Sequence, residues 1–396
     1  MDTINITDEC DGLKIYHFND CNETSPEEVK QSRGLIKDGE IVVCKSFPFT
    51  PEIRSDNEEL IEKYIIPLEG NKAFISQEGS LLRVWYYGGK WRLSTHRKMD
   101  AFCSRWGSET SYGAYFINLL LKQYGEEIKE NESIFDKYTS SLNQELVYIF
   151  LLRSCNENRV VCNKYNDPSL FIIGAFQKPQ EVEQLLSQWT FIPGSSLTET
   201  LFSPVPEIKY NTIQELIEYV KTLDIYESQG IVIITSKGES IKLVNHNYDD
   251  LFKLRGNVPN VVLRYIQLRN GDKEQLNTYK KLYPEFSSTF NDVESSFQSI
   301  ISNLHRSYVS RFIKRQVAVV PPEQYSIIRE LHDIHLVDRT VIITQQKVRS
   351  YFNTLESQRL WTLYKKYVVR REVGGNGNSV SDEDRERVLQ KNNNSV

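Results

Sequence analysis

The sequence predicts an α+β fold: an antiparallel-sheet domain over residues 1–255, a smaller all-helical domain over 256–372, and a polar tail over 373–396. Three observations lead there. Short apolar runs with two-residue alternation, separated by Gly-containing turns, recur through the first two thirds of the chain, as in half-buried strands. From Val258 onward, apolar residues recur at three- and four-residue spacing, as in amphipathic helices. The final stretch, GGNGNSVSDEDRERVLQKNNNSV, carries too little apolar surface to offset the entropy of ordering and is expected to be disordered.

Residues up to Glu69 mix strand-like runs with acidic loops, and Ile41–Cys44 is one such strand. Lys37-Asp38-Gly39 before it reads as a hairpin turn rather than part of a lysine motif, because Asp-Gly supplies the positive backbone angles of a tight turn. Strands at 73–75 and 81–87 flank Gly79, and Gly88-Gly89 turns the chain into 91–94, which predicts an antiparallel meander. Residues 111–124 have helical spacing, with Gly125 as the stop. Strands follow at 146–152, 159–161 and 169–175. Helices follow at 180–188 and 212–223, the latter capped by Asn211 or Thr212, whose side chain accepts from a first-turn N–H. Strands at 230–235 and 240–244 form a hairpin around Lys237-Gly238. Helices are expected at 260–270, 273–282, 293–316, 324–333 and 345–367.

The 396 residues suffice for two domains, and 39% hydrophobic with 11% aromatic content supports a packed core. The net charge of −5 gives no bulk attraction to nucleic acid, so any polyanion site must come from local basic clusters. Six scattered cysteines show neither a CxxC pair nor metal-ligand spacing, so no metal site is expected. With no signal peptide in view, they predict free thiols in a reducing, intracellular, cytoplasmic setting. No apolar run approaches the roughly 20 residues a membrane helix needs, so a soluble protein with no membrane partner is expected.

The most informative stretch is Ala73-Phe74-Ile75-Ser76-Gln77-Glu78-Gly79-Ser80-Leu81-Leu82-Arg83: an apolar segment, a polar pair, an acidic residue, Gly-Ser and a second apolar run. Upstream lie Ser32-Arg33-Gly34 and Val43-Cys44-Lys45-Ser46-Phe47. Downstream come Ile149-Phe150-Leu151-Leu152-Arg153, then Asn158-Arg159-Val160-Val161, Glu227-Ser228-Gln229-Gly230-Ile231-Val232, and Ile241-Lys242-Leu243-Val244 with Tyr248 beyond. In order and spacing this set resembles the bacteriophage-type ATP-dependent RNA ligase family, within the covalent nucleotidyltransferases, over residues 30–255. The resemblance implies a nucleotidyltransferase (ATP-grasp-like ligase) domain, with ATP and Mg²⁺ as cofactors if the ligase reading holds. It assigns nucleotide and phosphate contacts to Arg33, Lys45, Glu78, Gly79, Ser80, Arg83 and Lys242.

The departures from that family are systematic. Its opening motif reads Lys-x-Asp/Glu-Gly-Ser and the lysine forms a covalent link to AMP; Ser76 stands in the lysine's place. Leu151 stands where a Glu orients ribose or metal, Gln229 where a Glu holds a divalent cation, and Val244 where a second phosphate-binding lysine belongs. A serine hydroxyl is a poor nucleophile without an adjacent base. The ligase reaction also needs a metal-bound triphosphate and several cations, so covalent adenylylation is not expected. Lys72, the nearest other amine, reads as a solvated loop lysine.

The stretch from Trp91 to Asp100, continuing through Arg105-Trp106, is basic and aromatic. Alternation places Arg92, Ser94 and His96 on one strand face with Arg97 and Lys98 at its end. One reading is a nucleic-acid ridge of Arg92, His96, Arg97, Lys98 and Arg105 flanked by Trp85, Trp91 and Trp106, with His96 titrating near neutral pH or donating to a phosphate. The other is a solvated basic edge with buried tryptophans. In the helical domain, Arg311 and Arg315 fall at i,i+4 on one helix face. Together with His305-Arg306, Lys314, Lys365-Lys366, Arg370-Arg371, Arg255, Arg264 and Arg269, they read either as a surface for an RNA end or as salt-bridged amphipathic helices. Lysine-less relatives, as the resemblance goes, belong to large DNA viruses, which implies a viral source and the cytoplasm of an infected cell.

Three functions follow as expectations. The first is an inactive ligase-like protein that binds nucleotide or RNA ends or acts as a scaffold. The second is an active ligase or RNA end-modifying enzyme with a displaced nucleophile. The third is a protein–protein module with an empty cleft.

Overall fold

The computed structural model of the chain describes residues 3–124, 133–153, 159–163, 167–179, 186–317 and 319–375. It divides into two units, 1–253 and 254–396.

The first unit is built on three sheets. Sheet one joins β1 (Ile4–Cys10), β2 (Leu13–Phe18), β3 (Leu35–Asp38) and β4 (Ile41–Cys44) as consecutive antiparallel neighbours. Sheet two runs β11 (Thr190–Pro193), β10 (Ser169–Gln177), β9 (Leu146–Arg153), β7 (Ser80–Tyr87), β8 (Lys90–Thr95), all antiparallel. Sheet three runs β12 (Glu207–Ile208), β6 (Lys72–Ser76), β13 (Gly230–Ile234), β14 (Ser240–Val244), β5 (Glu52–Arg54); only its β14–β5 pair is parallel.

Strand alternation explains how these sheets stack. In β9, Tyr148, Phe150 and Leu152 enter one core with Leu82 and Val84, while Val147 and Ile149 enter a second core with Ile15, Ile36, Phe74 and Ile234. A strand buried on both faces reads as a continuous apolar run, as 146–152 does. Helices α1 (Glu27–Gln31) and α2 (Glu58–Leu60) are short. α3 (Tyr112–Tyr124) and α4 (Ile134–Thr139) cover the outer face of sheet two through Phe116, Leu120 and Tyr138. α5 (Ile213–Thr222), capped by the Thr212 side chain accepting from the Glu215 amide, lays Leu216, Ile217 and Val220 against Ile231, Ile233 and Leu243 of sheet three. α6 (His246–Arg255) follows β14.

The second unit is helical: α7 (Val261–Leu268), α8 (Lys273–Leu282), α9 (Ser287–Tyr308), α10 (Pro322–Val337), α11 (Gln345–Asn353) and α12 (Ser357–Gly375). Its core gathers Phe297, Ile300 and Leu304 of α9 with Ile327, Leu331, Phe352 and Leu360. The α+β class, with antiparallel sheets followed by a helical region, is thus as the sequence predicts.

Several elements differ from expectation. The meander does not form, because β6 lies in sheet three while β7 and β8 pair in sheet two; Gln77-Glu78-Gly79 is a crossing between sheets. Residues 159–161 make no strand, because the amides of Val160, Val161 and Cys162 donate to the Glu78 carboxylate instead of to a neighbouring strand. The single helix expected over 345–367 is two: the Thr354 hydroxyl takes the Tyr351 carbonyl, and the Asn353 carbonyl accepts from Asn270. Arg311 and Arg315 share no helix face, since α9 ends in a wide turn at Val309–Ile313 and Arg315 adopts φ 55°. α12 continues to Gly375, past the expected start of the tail. Gly125 as a stop, most of the 180–188 helix, Asn158, and the tail from 376 onward lie outside the described residues.

Candidate functional site

The cleft lies between sheets two and three, and alternation decides what enters it. In β6, Ala73 packs toward α5, while Phe74 faces the other way, so Ser76 at the strand's end shares the cleft face with Phe74. Gly230 lies opposite Ser76 and Lys242 opposite Val232, which brings Ser76, Gln229 and Lys242 together. The Gln229 amide donates to the Ser76 carbonyl at 2.8 Å, and the Ser76 hydroxyl donates to Gln229 Oε1 at 3.4 Å. Lys242 Nζ reaches the same Oε1 at 3.4 Å and the Glu52 carboxylate at 2.8 Å. Ser76, Gln229 and Lys242 thus form one bonded chain ending on Glu52. No base sits beside the hydroxyl among the described residues.

The cavity at this point is small, about 160 Å³, and largely apolar: Phe47, Phe74, Leu81, Leu151, Val205 and Val232 line it with Arg33, Ser76, Gly79, Gln229 and Lys242. Leu151 is therefore a cleft residue, opposite Leu81 on β7. Ligand pockets for small molecules run from about 300 Å³ upward. No carboxylate lines this inner cavity among the described residues, so it does not offer Mg²⁺ the ligand that the resemblance implies. The inner cavity opens onto a wider groove, and the positions to which the resemblance assigns carboxylates, Leu151 and Gln229, carry an apolar side chain and an amide.

A second space adjoins it. A groove of about 750 Å³ shares Arg33, Thr50, Leu81 and Lys242 with the inner cavity and adds His96, Arg97, Arg105, Ser80 and Trp106. Here the side chains predicted to hold nucleotide (Arg33, Ser80, Lys242) meet three of those predicted for nucleic acid (His96, Arg97, Arg105). Arg33 donates to the Pro48 carbonyl and the Thr50 hydroxyl at 3.2 Å, and burial lowers its pKa. Arg97 and Arg105 are exposed. His96 does not titrate near neutrality: burial, then Arg33 and Arg83, push its pKa well below the usual imidazole value, and its Nε2 lies 2.6 Å from the Ser46 hydroxyl. His17, also lining the groove, is held down to about 4 chiefly by burial.

Other predicted residues serve the fold. The Glu78 carboxylate accepts from the amides of Val160 (2.9 Å), Val161 (2.6 Å) and Cys162 (3.0 Å) and from the Tyr248 hydroxyl (2.8 Å), so it clamps a loop and α6 rather than contacting phosphate. Gly79 is needed because a Cβ there would stand 2.5 Å from the Leu152 carbonyl oxygen. Arg83 is fully buried, donating to the carbonyls of Gly34 and Thr95. Lys45 is buried against the Leu186 carbonyl in a different cavity. Val244 is buried, opposite Gly230 and in parallel register with Arg54.

The basic ridge does not form. Arg92 turns to Asp11 at 3.0 Å, Ser94 is buried under the Trp85 indole N–H, and Lys98 pairs with Asp8 at 3.7 Å. Trp91 packs against Tyr86, which leaves Trp106 as the tryptophan of the groove. Lys72 pairs with Glu207 at 3.0 Å. In the helical unit Arg269 pairs with Glu294, Arg359 with Glu330, and Lys366 and Arg370 with Glu323, the salt-bridged arrangement.

Sequence reasoning missed Glu52, Thr50 and Tyr112, which line the groove with Ser80. They belong to no motif, and only β14–β5 pairing brings Glu52 beside Lys242. No helix among the described residues is long and apolar enough to cross a membrane.

No known family profile matches the chain. Two viral proteins are similar over much of it. The immediate-early protein ICP-46 homolog of Invertebrate iridescent virus 6 is 27% identical over 83% of this chain and 72% of its own length. Its counterpart in Invertebrate iridescent virus 3 is 28% identical over 78% of this chain and 66% of its own length, so the chain spans about two thirds of these relatives. Among solved structures, a Naegleria gruberi RNA ligase with pyrophosphate aligns at 13% identity and TM-score 0.33, over 52% of this chain and 58% of that one. An archaeal ATP-dependent RNA ligase aligns at 10% identity and TM-score 0.36, over 76% of this chain and 71% of that one. Structural likenesses at this level assign no chemistry to this chain.

Proposed function

We propose that this chain is a ligase-like protein without nucleotidyl-transfer chemistry that holds RNA or nucleotide phosphates in the outer groove. The observation that carries the first half is the bonded set Ser76–Gln229–Lys242–Glu52, in which the hydroxyl lacks a base and the only amine is tied to a carboxylate. The apolar lining that Leu151, Val205 and Phe74 give the inner cavity supports it further. The second half rests on Arg33, Arg97, Arg105 and Lys242 lining one groove against Glu23 and Glu52, with Trp106 as a stacking face. The iridovirus relatives, immediate-early proteins by name, support reading the chain as a viral protein.

The test is binding of a fluorescent single-stranded RNA across a salt series. Each phosphate neutralised contributes a slope of about −0.7 in log affinity against log salt. Arg97→Ala with Arg105→Ala reduces the slope by about 1.4 if both meet phosphate. Absence of binding at low salt removes the RNA half of the reading.

A further inference from the structure

A further cavity in the first unit, about 1010 Å³, shares none of its described lining residues with the cleft or the groove. We propose that it binds an amphipathic organic anion, with the anionic head on Lys45 and the apolar body along the outer face of sheet one.

The head site follows from an unbalanced buried cation. Lys45 is 5% exposed, and its ammonium, with three hydrogens to donate, makes a single hydrogen bond among the described residues, to the Leu186 carbonyl at 3.2 Å. The Phe176 ring lies 5.4 Å away, and no carboxylate among the described residues comes within ion-pair distance. Glu239 and Glu27 act on it only through space, and a desolvated ammonium without a paired counter-charge is costly, so burial on balance lowers the Lys45 pKa. A second buried donor stands on the same lining: Trp189 is 1% exposed and its Nε1 finds no acceptor among the described residues. Two donors without adequate acceptors beside one cavity call for a ligand that brings oxygen lone pairs and negative charge.

The body site follows from strand register. Tyr16 pairs with Ile6 on one side and Leu35 on the other, so these side chains stand together on one face, and they line the cavity with Ile4 and Val42. Leu35 and Val42 are buried in the second core, Tyr16 packs against it beneath the Lys37 ammonium, and Ile6 is 49% exposed, so Ile4, Ile6 and Tyr16 supply the apolar surface left open to the cavity. Charge narrows the class further. Glu27, Glu28, Glu40 and Glu239 line the same cavity against Lys37, Lys45 and Lys237. Four carboxylates repel a phosphodiester chain, whereas a molecule with one carboxylate or sulfonate and an apolar body brings a single charge to Lys45.

The test titrates the full chain with 1-anilinonaphthalene-8-sulfonate, an apolar anion whose fluorescence reports burial, and displaces it with decanoate or with 1-decanol. The expected result is saturable binding, with decanoate displacing the dye at least tenfold more tightly than decanol. Lys45→Met removes that preference, weakening decanoate about tenfold and leaving decanol unchanged. It also raises the melting temperature of the unliganded chain, because the unpaired charge is gone. Ile6→Glu, at a half-exposed position outside the core, weakens decanoate and keeps the test open if Lys45→Met does not fold. Non-saturable dye binding, equal displacement by decanoate and decanol, or decanoate affinity unchanged in both variants overturns the proposal.

Discussion

The Ser76 hydroxyl donates to the Gln229 side-chain carbonyl at 3.4 Å, and the same oxygen receives the Lys242 ammonium at 3.4 Å. Two positions to which the sequence resemblance would give an amine and a metal-binding carboxylate are here a neutral pair bonded to each other. The surviving lysine is neutralised by Glu52.

Restoring the amine at this place does not restore chemistry. Ser76 is 5% exposed, so in Ser76→Lys the new ammonium stands beside Lys242 with only an amide to receive it. The variant is expected to take up no label from ATP and to lose on the order of 2–4 kcal/mol of stability, read as a shift in the urea midpoint.

Glu78 is expected to matter for folding and not for phosphate. Glu78→Ala leaves the amides of Val160, Val161 and Cys162 and the Tyr248 hydroxyl without their acceptor, at a cost of about 3 kcal/mol. Hydrogen exchange checks this: protection falls at 160–162 in Glu78→Ala while RNA affinity, corrected for the folded fraction, stays unchanged.

Gly79→Ala tests the crossing between sheets two and three. The added methyl meets the Leu152 carbonyl at 2.5 Å and the Leu151 side chain at 2.8 Å, so β7 or β9 must shift. The expected destabilisation is about 2–3 kcal/mol, measured by denaturant unfolding.

Acid should unfold the first unit early. His17 titrates at about 4 in the folded chain, and His96 lies well below the ordinary imidazole value. Between about pH 6.5 and 4 the unfolded chain therefore binds protons that the folded chain refuses, and stability falls as pH falls through that window. Urea midpoints at pH 7, 6 and 5 measure the slope, which His17→Gln should flatten.

Local pattern carried much of the fold. Asp38-Gly39, Lys237-Gly238 and the Thr212 cap each specify a structure through neighbouring residues, and β3–β4, β13–β14 and α5 follow them. The sheet crossing at Glu78 was not legible, because its partners lie at 160–162 and at Tyr248, far along the chain. The same holds for the site. Arg33, Ser76, Gln229 and Lys242 do line adjoining spaces. Lys45 and Arg83 do not join them, since burial direction depends on which sheet covers each strand face, and alternation alone does not encode that. The basic run from Arg92 to Lys98 misled because Asp8 and Asp11, distant in sequence, neutralise half of it.

The most direct measurement of the central claim is incubation of the chain with α-labelled ATP and Mg²⁺ or Mn²⁺, followed by a denaturing gel. With Ser76 bonded to Gln229 and Lys242 paired with Glu52, no label should remain on the protein at any pH from 6 to 9. A stable labelled band would contradict the account, and mapping the labelled residue would show where the nucleophile had moved.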